Sequence, residues 1–294
     1  MSEINNNPEE DGIEVRGSEL PLDLPEKVMQ QTTRYSVPLF LDGGLAGSGT
    51  FIKCGGVHGI ITAYHVVHNP LVRTKRFDFT SGSTQRLVLG IADVASHFYL
   101  EMRHLRCVDV GVPRDDYSGP DLAVIVFPDS DPKLGEIRAR KLFYDISLHR
   151  EERLAEALLD DGLWVIVGNP VRMQKMEPAS RGFTSVIDSE GLAALATVSQ
   201  REDDGTFDFI HLALNDLKAH DFPEHFGGMS GGGVWRIPLL KKKGDPLSRI
   251  YPGAEVLAGV VFFQTAVRDD SCEIRCHAAK SVYERVYEKL ADQS

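Results

Sequence analysis

Three side chains of this 294-residue protein have the chemistry of an acyl-transfer centre: His65, Asp121 and Ser230. Ser230 lies in Phe226-Gly227-Gly228-Met229-Ser230-Gly231-Gly232-Gly233-Val234-Trp235, flanked by five glycines. Glycine loses the most backbone entropy on folding, so a cluster is kept where the main chain takes φ > 0 or is closely approached. A serine whose own N–H helps to bind an oxyanion needs such a backbone. A flexible glycine loop has the same composition, and the rest of the chain decides between the two. His65 ends the apolar stretch Ile60-Ile61-Thr62-Ala63-Tyr64-His65 just before a turn, and Asp121 stands where Gly119-Pro120 enters an apolar run. Singly, the histidine reads as a packed structural residue and the aspartate as a turn or cap residue. Together they supply what a serine hydroxyl lacks at its free pKa: an imidazole to take its proton and a carboxylate to hold that imidazole.

Strands must position these residues. From residue 35 onward, short apolar runs alternate with glycine turns, and 35–41, 48–54, 58–63, 86–91, 98–103, 105–112 and 122–127 read as strands. No sustained 3.6-residue period interrupts them. Residues 129–144 read as a charged, turn-rich connector, and 148–159 as a helix with Leu154, Leu158 and Leu159 at helical spacing. Strands resume at 163–167, 183–187, 192–200 and 207–214, the last pair joined by a tight turn at Glu202-Asp203-Asp204-Gly205. Residues 233–239 and 256–263 read as a hairpin across Lys241-Lys242-Lys243, expected as a solvated turn. Residues 24–33 predict a short helix with Val28 inward, and 278–292 a closing helix with Val282, Val286 and Leu290 on one face. The division expected is an acidic, disordered tail (1–30), a β unit (31–130) holding His65 and Asp121, a connector (131–162), a second β unit (163–277) holding Ser230, and the helix (278–294).

The net charge of −11 is concentrated at the start, where residues 1–27 hold eight acids against Arg16 and Lys27. The remainder has no basic stripe for phosphates, so nucleic acid is not an expected partner. No apolar run approaches the roughly 20 residues that span a bilayer, and no signal-like segment opens the chain. Four cysteines are too few to staple a chain of this size, which points to reduced thiols and a cytoplasmic setting. Cys272-x-x-x-Cys276 finds no second pair of suitable spacing, and His65-x-x-His68 does not place both rings on one side of a strand end. Neither a metal nor a cofactor is expected, and His68 reads as a plain loop residue.

The joint pattern resembles the chymotrypsin-like serine peptidases. Thr62-Ala63-Tyr64-His65 is similar to their T-A-x-H, Asp121-Leu122-Ala123 to their D-[IL]-A, and Gly228-Met229-Ser230-Gly231-Gly232 to their G-x-S-G-G, in the same order. Gly47-Ser48-Gly49-Thr50-Phe51 and residues 165–170 (VIVGNP) resemble the bacterial HtrA-type branch, here without a PDZ-like region. The resemblance covers residue 35 to the last helix and implies an all-β fold of two six-stranded antiparallel barrels with the active site between them. It implies His65, Asp121 and Ser230 as the triad, the N–H groups of Gly228 and Ser230 as the oxyanion hole, and a protein or peptide substrate. In the family's register Glu224 falls at the base of the S1 pocket, favouring basic P1 residues, unless the 221–226 loop differs in length and leaves it exposed. The same register makes Phe262, Phe263 and Gln264 the strand that pairs with substrate, with Gln264 narrowing the pocket. Val66 stands where many members have a disulfide cysteine. Met229 replaces the aspartate that pairs with a freshly cut N-terminus in trypsin-like zymogens, so activation by that ion pair is not expected. Similar stand-alone peptidases occur in bacteria, sometimes beside defence genes, which implies a defence or stress role and latency until a partner acts. The acidic tail reads as a solubilising segment, with an inhibitory role in the cleft as its alternative.

Three rivals set the tests. Asp109, Asp115 and Asp116 compete with Asp121, but only Asp121 directly precedes a long apolar strand. The serine also satisfies the G-x-S-x-G elbow of α/β-hydrolase esterases, with Asp269 or Asp270 and His277 following, which requires a helix directly after the serine. A non-catalytic peptide-binding module on the same scaffold is the third.

Overall fold

The computed structural model describes residues 10–12, 21, 23–41, 44–68, 77–91, 98–113, 119–148, 150–155, 161–178, 185–189, 191–220, 222–223, 225–242 and 250–292. A short strand β1 (Glu10–Gly12) and helix α1 (Leu24–Thr33) precede the first sheet. α1 starts on a proline in its first turn and buries Leu24, Val28 and Thr32. The first sheet follows: β2 (Ser36–Leu41), β3 (Gly44–Cys54), β4 (Val57–Thr62), a one-turn helix α2 (Tyr64–Val67), β5 (Arg86–Leu89), β6 (Phe98–Glu101), β7 (Arg106–Gly111) and β8 (Leu122–Val126). Helix α3 (Pro132–Arg138), strand β9 (Tyr144–Asp145) and helix α4 (Arg150–Ala155) lead to the second half. This holds β10 (Leu163–Gly168), β11 (Gln174–Pro178), β12 (Ser185–Ser189), β13 (Leu192–Asp203), β14 (Asp208–Leu214), β15 (Gly233–Ile237), β16 (Leu239–Lys242), β17 (Tyr251–Pro252), β18 (Val256–Gln264) and β19 (Cys272–His277). A π-helical turn (Ser281–Val286) runs into α5 (Tyr287–Ala291) and buries Val282, Val286 and Leu290 as the sequence predicts.

The second half closes as a six-stranded barrel in the order β10-β13-β14-β19-β18-β15. The first half is a curled half-barrel sheet. Among the described residues it is an open path, β6-β5-β2-β3-β4-β8-β7, with β9 added in parallel to β3. A 3₁₀ turn at Met102–His104 joins β6 to β7, which stand at the two ends of this path. The sheet still wraps one core, with Leu39, Phe51, Ile60, Leu87, Leu100 and Ile125 drawn from six strands. A second core carries Ile52, Ile61 and Val124 from this sheet together with Val165, Trp235 and Leu257 from the barrel, which packs the two halves against each other.

Other expectations shift locally. The connector contains α3, set by Asp131, whose carboxylate accepts the Lys133 N–H at 2.9 Å, by Pro132, and by buried Leu134 and Ile137 three residues apart. Helix α4 covers 150–155 of the expected 148–159, and residues 149 and 156–160, with Leu158 and Leu159, lie outside the described residues. β15 and β18 do pair, but Lys241 and Lys242 lie in strand β16, which pairs with β17 and with β1. Part of the tail expected to be disordered is therefore docked, in the register Glu10↔Lys242 and Asp11↔Lys241. No helix among the described residues is long and apolar enough to cross a membrane.

Candidate active site

β4 ends at Thr62, and extended Ala63 turns the chain into α2. Val66 and Val67 are buried, which pins this single turn and leaves His65 half-buried beside them. β8 is buried along its whole length and pairs with both β4 and β7, fixing Asp121 at its entrance. One Asp121 carboxylate oxygen accepts the His65 backbone N–H at 2.8 Å, and the other lies 2.6 Å from His65 Nδ1. An ionised carboxylate can only accept, so the network assigns the proton to Nδ1 and leaves Nε2 as the basic lone pair. Charge-assisted bonds of this length hold both the position and the tautomer of the ring.

Behind Asp121 stands a residue whose role here sequence reasoning missed. His277, at the end of β19, is wholly buried, and its Nε2 accepts the Asp121 backbone N–H at 2.9 Å. Its Nδ1 lies 3.3 Å from Ser281 Oγ, which in turn bonds the Asp208 carboxylate at 2.8 Å. Phe262, Phe209 and Phe207 surround the ring. Burial lowers its pKa from the ordinary 6.5 to about 4, keeping it a neutral acceptor. As the esterase reading's catalytic histidine it is ruled out, because it is sealed in the interior and bonded to main chain. The serine loop also runs into β15 with no intervening helix, unlike a nucleophile elbow.

Main-chain hydrogen bonds clamp the serine loop on every side. Ser230 O accepts the Ser48 N–H at 2.8 Å, and Gly231 N–H reaches Val261 O at 2.7 Å. Ser48 Oγ donates to Gly228 O at 2.7 Å and accepts the Asn169 N–H at 2.8 Å. Gly227 O accepts the Val171 N–H at 2.7 Å. A trans peptide is planar, so drawing that carbonyl to Val171 turns the Gly228 N–H to the opposite side. Gly228 has φ +97°, and a Cβ there would meet Asn169 O at 2.6 Å. Gly231 has φ +88°, and a Cβ would fall 2.0 Å from Ser48 O and 2.1 Å from Thr62 Oγ1. The glycines thus let the loop press onto β3 and β10. Gly47 lies between the His65 turn and the serine loop: a Cβ there would lie 2.6 Å from Val66 Cγ2 and 3.0 Å from Ser230 O. The residue after His65 and the main chain of Ser230 therefore flank one glycine. Among the described residues no hydrogen bond within 3.5 Å joins Ser230 Oγ to His65; such contacts commonly tighten only when substrate binds.

The remaining predicted residues fall less simply. Glu224, Asp115 and Asp116 lie outside the described residues. Asp109 bonds His68 Nε2 at 2.9 Å instead of His65. Phe262 sits at a register shift in β18, and its side chain is buried against His277, so only its main chain is left for the pairing expected of residues 262–264. Gln264 is tied back, its Oε1 accepting the Phe226 N–H at 2.9 Å, which braces the serine loop. Ser48 and Asn169 were legible only as parts of the G-S-G and G-N-P signatures. Nothing local shows that one hydroxyl joins them.

A mostly β chain with one closed barrel and one curled sheet, with His65 and Asp121 at strand ends of the sheet and Ser230 in the loop that enters the barrel, is the architecture these observations define. No protein-family model matches the chain, and no curated protein matches it. Among solved structures it is similar to an HtrA-type protease AlgW with tripeptide, at 14% identity and a TM-score of 0.46 over 92% of this chain and 64% of that one. A serine-to-alanine form of AlgW with tripeptide overlaps at 14% identity and a TM-score of 0.39, over 85% of this chain and 58% of that one. This chain therefore spans less than two thirds of those two chains. A structure described for the coupled folding and binding of the intrinsically disordered Sesbania mosaic virus VPg protein overlaps at 12% identity and a TM-score of 0.44, over 95% and 96% of the two chains.

Proposed function

We propose that the protein is a serine endopeptidase that cleaves through an acyl-enzyme. The observation that carries this is the double grip of Asp121 on His65, at 2.8 Å on the backbone N–H and 2.6 Å on Nδ1, which leaves Nε2 as the accepting nitrogen; the next residue, Val66, and the main chain of Ser230 both border Gly47. Ser230 Oγ attacks the scissile carbonyl as His65 Nε2 takes its proton. The imidazolium that forms is stabilised by Asp121 and returns the proton to the leaving amine. The N–H groups of Gly228 and Ser230 receive the oxyanion; one such donor is typically worth about 2.7–4 kcal/mol in the transition state. Water then repeats the sequence on the acyl-enzyme. Phe262, Phe263 and Gln264 contribute main chain to substrate pairing, and Glu224 sets a preference for a basic P1 residue. In this reading the enzyme is cytoplasmic, as four unpaired thiols favour, and latent until a partner protein engages it, within a bacterial defence or stress response.

The test is proteolysis itself. Wild type and Ser230→Ala are incubated with casein, and fragments are read by mass spectrometry. Fragments absent with the variant support the mechanism, and cuts after Arg or Lys support the role of Glu224. Equal fragmentation by both proteins refutes the assignment of the nucleophile.

A further inference from the structure

His68, Cys107 and Asp109 converge on one point beside the catalytic turn. His68 caps the C-terminus of α2, three residues beyond His65. Cys107 and Asp109 are two apart on β7 and so share one face of the strand. His68 Nε2 lies 2.9 Å from Asp109 Oδ1 and 3.5 Å from Cys107 Sγ, and the sulfur lies 3.5 Å from Asp109 Oδ1. The Tyr64 ring lies against the His68 imidazole at 4.5 Å and limits its rotation. Cys107 is the one cysteine of the four that is not buried.

We infer that these three side chains bind a thiophilic divalent cation of the Zn²⁺ class, with water as fourth ligand. Bond lengths of about 2.0–2.3 Å to N, O and S around a tetrahedral ion set ligand–ligand separations of about 3.3–3.6 Å. Both edges to sulfur already have that length. Only the His68–Asp109 edge, now a hydrogen bond, must open by about 0.4 Å, within the play of side-chain rotamers. The mixed nitrogen, sulfur and carboxylate set suits zinc over magnesium or calcium, which take oxygen ligands. As the metal binds, the thiol that donates to Asp109 gives its proton to solvent, and the His68 proton that faces Asp109 moves by exchange with water from Nε2 to Nδ1, so that sulfur and Nε2 both offer lone pairs and one proton is released in all. Sequence spacing hides the site, because Cys107 and His68 are 39 positions apart. An occupied site staples the turn that carries His65 to β7, and this holds whether or not the protein is a peptidase.

Cobalt(II) is the probe, added to the metal-free full-length protein. Wild type should show the near-ultraviolet sulfur-to-cobalt charge-transfer band and tetrahedral visible bands, both bleached by Zn²⁺. Cys107→Ser and His68→Gln should lose the band, while Cys54→Ser, altering a thiol elsewhere, should keep it. Zn²⁺ at a hundredfold excess over Kd should raise the melting temperature of wild type by about 5–10 °C and leave that of Cys107→Ser unchanged. Circular dichroism of the metal-free variants checks that they fold. The same band or the same shift in folded Cys107→Ser, or no band in wild type, overturns the site.

Discussion

Replacing His277 by glutamine should flatten the acid limb of the protein's stability. The imidazole is sealed in the interior and accepts the Asp121 N–H, a task only its neutral form performs. Asp121 and Asp204 favour its protonation and Arg275 opposes it, but burial is the largest influence and brings the pKa from 6.5 to about 4. Between these values only the unfolded chain takes up the proton. Stability is therefore whole above about pH 6.5, falls as the pH drops, and levels off below about pH 4. At about 1.4 kcal/mol per unit, the full loss is roughly 3 kcal/mol, of which about 2–2.5 kcal/mol is realised between about pH 7 and pH 4.5. Glutamine offers an acceptor oxygen and nothing to protonate in this range. Urea unfolding of wild type and His277→Gln at both pH values isolates the term, because every other group titrates equally in the two proteins. The difference in unfolding free energy should move by about 2–2.5 kcal/mol in favour of the variant on acidification. His277→Leu, which removes the acceptor, should cost about 1–3 kcal/mol already at neutral pH by orphaning the buried N–H. Parallel pH profiles for wild type and the glutamine variant would refute the reasoning.

Two further perturbations test the serine loop. Gly231→Ala places a Cβ 2.0 Å from Ser48 O at a φ of +88°, and should destabilise by about 2–4 kcal/mol in urea titration; a loss under about 1 kcal/mol would show that the loop can yield. Ser48→Ala removes the hydroxyl shared by Gly228 O and the Asn169 N–H, costing about 1–3 kcal/mol. In the proposed mechanism the loop it releases holds the oxyanion donors, so kcat/KM on casein should drop at least about tenfold, with retained activity counting against a preorganised loop.

Local chemistry was enough for much of this protein. The short apolar runs and glycine turns marked the strands because strands such as β2, β8 and β15 are buried along their whole length, and the final helix showed its inward stripe at Val282, Val286 and Leu290. Asp121 could be preferred over Asp109 because only a buried strand such as β8 anchors a carboxylate rigidly, and it is Asp121 that grips His65. Helix α3 escaped notice because its signal is a cap and two apolar residues, too short to show a period.

Tertiary structure decided whatever depends on approach between distant stretches. The sequence carried the types His65, Asp121 and Ser230 in order, yet only folding brings Val66 and Ser230 O to either side of Gly47. His277 behind Asp121, Ser48 between Gly228 and Asn169, and the meeting of His68 with Cys107 are all of that kind. So is the order of the first sheet, whose described strands run from β6 to β7 along a path that no single segment announces. Periodicity records which way a side chain faces, since that is set within a few residues. The partner it finds there is set by sheet register and barrel closure, to which the whole chain contributes.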